Sequence, residues 1–421
     1  MIIGWRAGHL SNNHDDNEMG VRMGQAMTFD DITAPMSASQ FIDEYLGQAP
    51  LHLPGPAEKF HDIMNWDILN NLLGMASIWS TKSLVLMLDK EPVPFDHYAT
   101  VEIGRDGGQV LRPDPTKVQG FLAQGATLVA NDIDQLSTSM RDFCAAMEQT
   151  LGGKVQANLY LSSKRKQGFR VHFDTHDVFA VHVAGEKVWS VFNGRAQDPI
   201  AHAVFKELPQ AHHEEAKGDL WQDVRLTAGD LLYLPRGQYH YALADDGPCC
   251  HIAFGVTYPI GLDVVSSLMG MMVHEPICRA NLPKNDDAAL KRHLQGIAQA
   301  VNKALSDPRT LNDVKAFQAG YSYPRHHYAL PSIITDADEK YRVTASQVKL
   351  VQQGGRYGLL KIGTNQAVPV PDDVKDLMVW VLDRERFGRA ALCDQFKGKS
   401  DKVIDKFISD LKGMALVRPD V

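Results

Sequence analysis

From Val155 to Tyr258 the chain breaks into short alternating runs, VQANLYLS, VHFD, VFAVHV, KVWSVF, VRLTA, DLLYLP and HIAFGVTY, separated by glycine, proline and charged turns. Period-two alternation in runs this short reads as strand, and so many short strands in succession need a sheet that closes or doubles over on itself. The segment is therefore expected to form a small antiparallel barrel or jelly roll, with its core over residues 155–258.

The flanks carry helical periodicity instead. Helices are expected at Ser39–Leu46 and Trp66–Met75, the second with Ile68, Leu69, Leu72 and Leu73 on one face, forming an N-terminal helical cover. Ile133, Leu136, Met140, Phe143, Met147 and Leu151 recur at three- and four-residue steps, with Asn131 or Asp132 placed to cap the helix and Gly152-Gly153 to end it. After Pro259 two amphipathic helices are expected, VVSSLMGMMVHEPICRANL and DDAALKRHLQGIAQAVNKAL. From about Ser346 short strands (QVKLV, RYGLLKI) mix with helices at Asp372–Leu382 and Ser400–Leu411 and a final LVRP run, a pattern that fits a winged-helix-like domain. The fold class is mixed α and β. The expected units are a mobile polar leader (1–28), a catalytic domain (29–260), a helical domain (261–345) and a C-terminal domain (346–421).

A formal net charge of −8 over 421 residues gives no basic field for phosphate binding. From Asp383 onward, nine Lys/Arg stand against seven Asp/Glu, so the C-terminal domain is not a strong nucleic-acid footprint either. Five cysteines without a C-x-x-C pair argue against a disulfide framework, and a reducing cytoplasm is the expected location. Neither a secretory signal pattern nor an apolar run of about 18 residues is present, so no membrane association is expected.

The sharpest chemical feature is His172-Phe173-Asp174 within the VHFD run, because residues two apart on a strand project from one face and can converge on one ion. His14-Asp15-Asp16 repeats the spelling in the polar leader, so H-x-D alone is weak; only the first lies among strands. A second feature is more specific. In Gly229-Asp-Leu-Leu-Tyr-Leu-Pro235-Arg-Gly237-Gln-Tyr-His240, proline stops one strand, glycine makes the turn, and the next strand carries His240 towards the barrel mouth. Two imidazoles and one carboxylate on one face of a metal leave three positions open, the arrangement of non-haem iron(II) oxygenases. The ligand types alone also suit zinc.

His176 shares the parity of His172 and Asp174, but four residues of strand put it roughly 13 Å from His172, too far to share an ion. It belongs on the substrate side or in a structural hydrogen bond. His251 competes with His240 as third ligand. Lys187 shares a strand face with Trp189; directed into a barrel it needs an anion such as a co-substrate carboxylate, and otherwise it extends to water. Asn158 and Tyr160 share a face on the preceding strand, either as hydrogen-bonding groups near a co-substrate or as a satisfied core pair.

QANLYLS, QGFRVHFDTHDVFAVHVAGEKVW and GDLLYLPRGQYH resemble the JmjC/cupin-like ribosomal oxygenases, closely over about residues 40–258 and more loosely beyond. The resemblance implies a double-stranded β-helix with His172, Asp174 and His240 as iron(II) ligands. It further implies Lys187 as the partner of the distal carboxylate of 2-oxoglutarate, Asn158 as an active-site asparagine, and O2 as oxidant; Tyr160 joins them only by its shared strand face. It also implies a helical dimerisation domain, hence a homodimer, and a ribosomal protein substrate hydroxylated on arginine or histidine. Two departures stand out: Ser163-Lys-Arg-Lys166 is basic where relatives often carry proline and glycine, and Gly255 stands where some have serine. The rival readings are a non-oxidative metal-dependent cupin enzyme and a scaffold or regulatory protein with a vestigial barrel.

Overall fold

The computed structural model describes residues 27–104, 107–163, 169–245, 247–325, 339–344, 348–353, 356–361, 367–414 and 416–419. Residues 1–26 of the expected leader, including His14, and residues 164–166 of the basic loop lie outside them.

Thirteen strands build the first part of the described chain: β1 Leu51–Leu53, β2 Leu84–Leu88, β3 Glu91–Pro92, β4 Ala99–Ile103, β5 Gln109–Pro113, β6 Thr127–Ala130, β7 Lys154–Ser162, β8 Asp177–Ala184, β9 Glu186–Arg195, β10 Leu220–Thr227, β11 Leu231–Leu234, β12 Gln238–Ala244 and β13 Cys249–Thr257. An eight-stranded sheet runs β1-β11-β8-β13-β7-β6-β2-β3, and a three-stranded sheet runs β10-β9-β12. All pairings are antiparallel. The jelly-roll expectation is met, with one addition. The N-terminal segment is more than a helical cover, because β1, β2, β3 and β6 extend the large sheet.

Alternation sorts each strand between two environments. On the outer face of the large sheet Leu159, Phe179, Phe254 and Tyr233 meet Phe29, Phe41, Met140 and Phe143 from the N-terminal helices in one buried cluster. The opposite face turns Val178, Ala180 and Leu232 towards Trp189, Val191, Val224 and Leu226 of the small sheet. Burial of each such side chain is worth about 1.5–3 kcal/mol, which makes a one-residue register slip costly on both faces.

Helices form at Ala38–Glu44, Trp66–Gly74 and Thr138–Leu151. The last starts later than its apolar periodicity indicates. Ser137, not Asn131 or Asp132, caps it by accepting from the Met140 N–H, and Gly152 closes it in the left-handed conformation. Asp132 adopts a positive φ of 58°, which bars it from a helical start, and its N–H is taken by the Asn158 amide oxygen at 3.0 Å. Ile133 remains buried from the intervening turn.

His172-Phe173-Asp174 does not lie within a strand. His172 makes a single bridge to His240, with N–H to O distances of 3.1 and 2.9 Å in the two directions. The ladder stops there because the facing chain enters the Pro235–Gly237 turn, whose Gly237 N–H reaches the Asp174 carbonyl at 2.9 Å.

Beyond the sheets, helices Gly261–Met272 and Asp287–Leu305 lie where the pair is expected, but the first run breaks into a separate short helix Pro276–Arg279, and Pro308–Ala319 follows as a fourth that the periodicity does not reveal. Residues 326–338 of this segment lie outside the described residues. The C-terminal residues gather helices Lys375–Leu382, Arg389–Gln395 and Asp401–Gly413 with two three-stranded sheets around a core that includes Leu377, Val381, Leu392, Phe407 and Leu411.

Candidate active site

The two sheets enclose a cavity of about 340 Å³, with His172, Asp174 and His240 at one end and Lys187 and His251 also in its wall. Period-two alternation explains which side chains reach it. Gln156, Asn158, Tyr160 and Ser162 come from β7, Lys187 and Trp189 from β9, His240 and Ala242 from β12, and His251, Ala253 and Gly255 from β13.

Gly237 sets the approach of His240. It adopts φ +86°, and a Cβ there would lie 2.1 Å from the Ala196 carbonyl oxygen, so only glycine fits the turn that launches β12. One ligand atom from each of His172, Asp174 and His240 falls within 4.8 Å of the others. Ligands held at about 2.1 Å from one ion are at most about 4.2 Å apart, so small side-chain rotations close the set.

The two imidazoles are already oriented. Nδ1 of His172 lies 2.8 Å from the Arg170 carbonyl oxygen and Nδ1 of His240 lies 2.9 Å from that of Gln238. Each Nδ1–H donates to a backbone oxygen, which leaves each Nε2 lone pair for an ion. Burial, then the neighbouring His172, holds the proton affinity of His240 down to about 4, so it is a neutral ligand at ordinary pH. Burial opposes ionisation of Asp174, but His176, His172 and His240 outweigh it and hold its carboxyl below the usual range. A two-histidine, one-carboxylate group with free Nε2 atoms fits a divalent first-row metal.

His176 and His251 are not part of this group among the described residues. His176 places Nδ1 3.1 Å from the Asp177 carbonyl oxygen, and its ring fills the space beside Gly255, where a Cβ would meet His176 Cε1 at 2.8 Å. The departure at Gly255 thus makes room for His176. His251 stacks on Tyr160, with ring centroids 4.9 Å apart and planes 8° from parallel.

Lys187 is 6 % exposed and does not extend to water. Burial lowers its proton affinity, and among the described residues no carboxylate lies within ion-pair distance of its ammonium. Asn158 uses its amide oxygen on Asp132, leaving its N–H groups without a protein partner among the described residues, and the Tyr160 hydroxyl has none there either. Sequence parity did not single out Gln156, Thr127 or Ser162. The last two bridge β6 and β7 through their hydroxyls at 3.0 Å in the cavity wall. Thr127 lies on β6, four residues that no alternation marks as strand, so the sequence carries no signal for it.

A wider cleft of about 750 Å³ shares Gln156, His172, Asp174 and His176 with the inner cavity and is walled further by Phe205, Arg236, Tyr258 and Tyr321. It connects the candidate metal group with the surface.

Residues 130–264, which hold most of the two sheets and the candidate metal group, match the family model described as the JmjC domain. The chain resembles the JmjC/cupin-like ribosomal oxygenases, as its motifs indicated. It is 24 % identical over 305 residues to the bifunctional lysine-specific demethylase and histidyl-hydroxylase NO66 of Drosophila erecta, covering 66 % of this chain and 45 % of that protein. Ribosomal oxygenase 1 of Rattus norvegicus is 30 % identical over 175 residues, covering 40 % of this chain and 29 % of its own length. The chain spans less than half the length of these curated relatives. Among solved structures, YcfD, a ribosomal oxygenase from Escherichia coli in complex with cobalt and 2-oxoglutarate, matches with a TM-score of 0.51 at 14 % identity, over 92 % of this chain and 99 % of that one. Its complex with cobalt and succinic acid gives 0.53 at 13 % identity over the same shares. At this identity the likeness shows the shared fold. No described helix is long and apolar enough to cross a membrane.

Proposed function

We propose that the protein is an iron(II)- and 2-oxoglutarate-dependent oxygenase that hydroxylates a protein side chain. The observation that carries this reading is Lys187, a buried ammonium without a carboxylate partner among the described residues, in the same cavity as His172, Asp174 and His240. A cation removed from water needs an anion, and a metal-chelating dicarboxylate supplies one at the right place.

Bound iron(II) would couple oxidative decarboxylation of 2-oxoglutarate to hydroxylation: 2-oxoglutarate, O2 and R–H give succinate, CO2 and R–OH. His172, Asp174 and His240 hold the metal through Nε2, a carboxylate oxygen and Nε2. Lys187 neutralises the far carboxylate, while the Asn158 amide and Tyr160 hydroxyl offer donors along the cavity wall. Ala242, Ala253 and the Trp189 ring supply apolar surface in the cavity wall that would help exclude water. The wider cleft admits the substrate side chain beside His172 and Asp174, where positioning a C–H bond is the remaining task.

The likeness to ribosomal oxygenases and to a histidyl-hydroxylase supports a ribosomal protein substrate with arginine or histidine as target. The NO66 relative is named both a lysine-specific demethylase and a histidyl-hydroxylase, so this likeness does not rank the two; the reading takes stable hydroxylation from the motif resemblance to ribosomal oxygenases. The reading also takes 261–345 as a dimerisation domain, supported by exposed Leu262, Val265 and Met269 on helix Gly261–Met272, and 346–421 as a winged-helix-like packing module in a cytoplasmic protein.

The test is incubation of the protein with iron(II), 2-oxoglutarate and purified ribosomal proteins in air. Succinate release with a one-oxygen mass gain in a ribosomal protein, both lost in Lys187→Ala, is expected. Metal binding without any 2-oxoglutarate consumption would overturn the reading in favour of non-oxidative cupin chemistry.

A further inference from the structure

His251 is 3 % exposed, yet neither of its ring nitrogens has a protein hydrogen bond among the described residues. Its Nδ1 is fully buried and unpartnered, and the ring stands in the cavity wall. With Nδ1 enclosed and without a partner among the described residues, the proton of the neutral ring belongs on Nε2, the nitrogen left to the cavity, where an N–H unpaired by protein points to a ligand acceptor.

The ring is held rigidly. Tyr160 stacks on one side at 4.9 Å, His182 lies parallel at 6.3 Å, and the Trp189 ring meets it edge-on at 5.3 Å. Trp189 also stacks against His240, with centroids 5.5 Å apart. The indole therefore stands between the candidate metal ligand and His251, and it separates two polar ends of one cavity. At the metal end are His172, Asp174 and His240; at the other are Lys187 and His251, with Ala242 and Ala253 among the apolar residues that line the cavity with them. Burial first, and then the nearness of Lys187 and His182, keep His251 neutral, so it is a hydrogen-bond donor that does not add a second positive charge.

We propose that His251 is a second anchor for the distal carboxylate of the co-substrate, donating a ring N–H to the same group that Lys187 neutralises. The inference rests on the oxygenase reading and deepens it. It gives His251 a specificity role, because a donor pair at this end favours a dicarboxylate over a 2-oxo acid that ends in a methyl group.

The test is calorimetric binding of 2-oxoglutarate and 2-oxopentanoate to the manganese-loaded full chain without oxygen. 2-Oxopentanoate has the same chain length and lacks the distal carboxylate. His251→Phe preserves the Tyr160 stack and removes the N–H. It should weaken 2-oxoglutarate binding by about ten- to a hundred-fold, the loss of a hydrogen bond to a charged group, and leave 2-oxopentanoate within about two-fold. His251→Gln, which retains an N–H donor, should recover part of the loss. Equal weakening of both ligands, or of neither, would overturn the role. Independently of any variant, the ring N–H resonance of His251 in the wild-type protein should shift on adding 2-oxoglutarate and not 2-oxopentanoate; the same response to both would also contradict it. If wild-type protein binds manganese but not 2-oxoglutarate, the oxygenase reading itself fails, an outcome distinct from failure at His251 alone.

Discussion

Nε2 of His240 lies 3.6 Å from Oδ2 of Asp174, across the single β-bridge that joins His172 to His240. One turn therefore controls the whole group: Gly237 donates its N–H to the Asp174 carbonyl and launches the strand that carries His240. Gly237→Ala drives a Cβ into the Ala196 carbonyl at a backbone conformation that alanine resists. It should weaken metal affinity by about ten-fold or more, measured by competition with a chelator. Unchanged affinity would show that the turn does not set the ligand geometry.

Lys187→Met should leave the ligand-free protein at least as stable as wild type, by up to about 2 kcal/mol, because it replaces a buried ammonium that has no carboxylate partner among the described residues with an apolar side chain of similar length. The same variant should lose thermal stabilisation by 2-oxoglutarate. Thermal unfolding with and without the co-substrate checks both halves. A destabilised ligand-free variant would mean that Lys187 has a structural partner.

Arg325 ties the segment after helix Pro308–Ala319 to helix Thr138–Leu151 and the turn before it. Its guanidinium donates to Glu148 Oε2 and Oε1 at 2.9 Å each and to Asp134 Oδ2 at 2.9 Å, with all three side chains at most 9 % exposed. Arg325→Met strands two buried carboxylates and should cost about 3–5 kcal/mol in chemical denaturation. A loss below about 1 kcal/mol would mean that the carboxylates are readily resolvated.

Stability should also fall in mild acid through His182. Burial holds its proton affinity down to about 4, against an ordinary value near 6.5. Between those pH values the unfolded chain binds a proton that the folded protein refuses, so this contribution is present above about 6.5 and is lost as pH drops towards 4. His182→Phe should shrink the difference in denaturant midpoint between pH 7 and pH 5. An unchanged difference would assign the acid sensitivity to other groups.

The sequence exposed those parts of the protein whose signal is local. Alternation in VFAVHV, KVWSVF and HIAFGVTY marked β8, β9 and β13, and the Pro235–Gly237 turn marked the strand carrying His240. What escaped depends on distant partners. β1 is three residues between prolines and becomes a strand only by pairing with β11. His172 looked like part of a strand because its run alternates, but its partner chain turns away after one bridge. The late start of helix Thr138–Leu151 followed from Asn158, some twenty residues on, which takes the Asp132 N–H. Arg325 finds Glu148 across 177 residues with no pattern to announce it. His251 competes with His240 as third ligand in the sequence; the pairing of β13 with β7 and β8 places it in the cavity wall, outside the metal group.

The most direct test of the oxygenase assignment is anaerobic titration of the iron(II)-loaded protein with 2-oxoglutarate, followed by the visible charge-transfer band of chelation. The account predicts a saturable band in wild type, a right-shifted titration in Lys187→Ala and no band in His240→Ala. Bound iron that gives no band at saturating 2-oxoglutarate would contradict it.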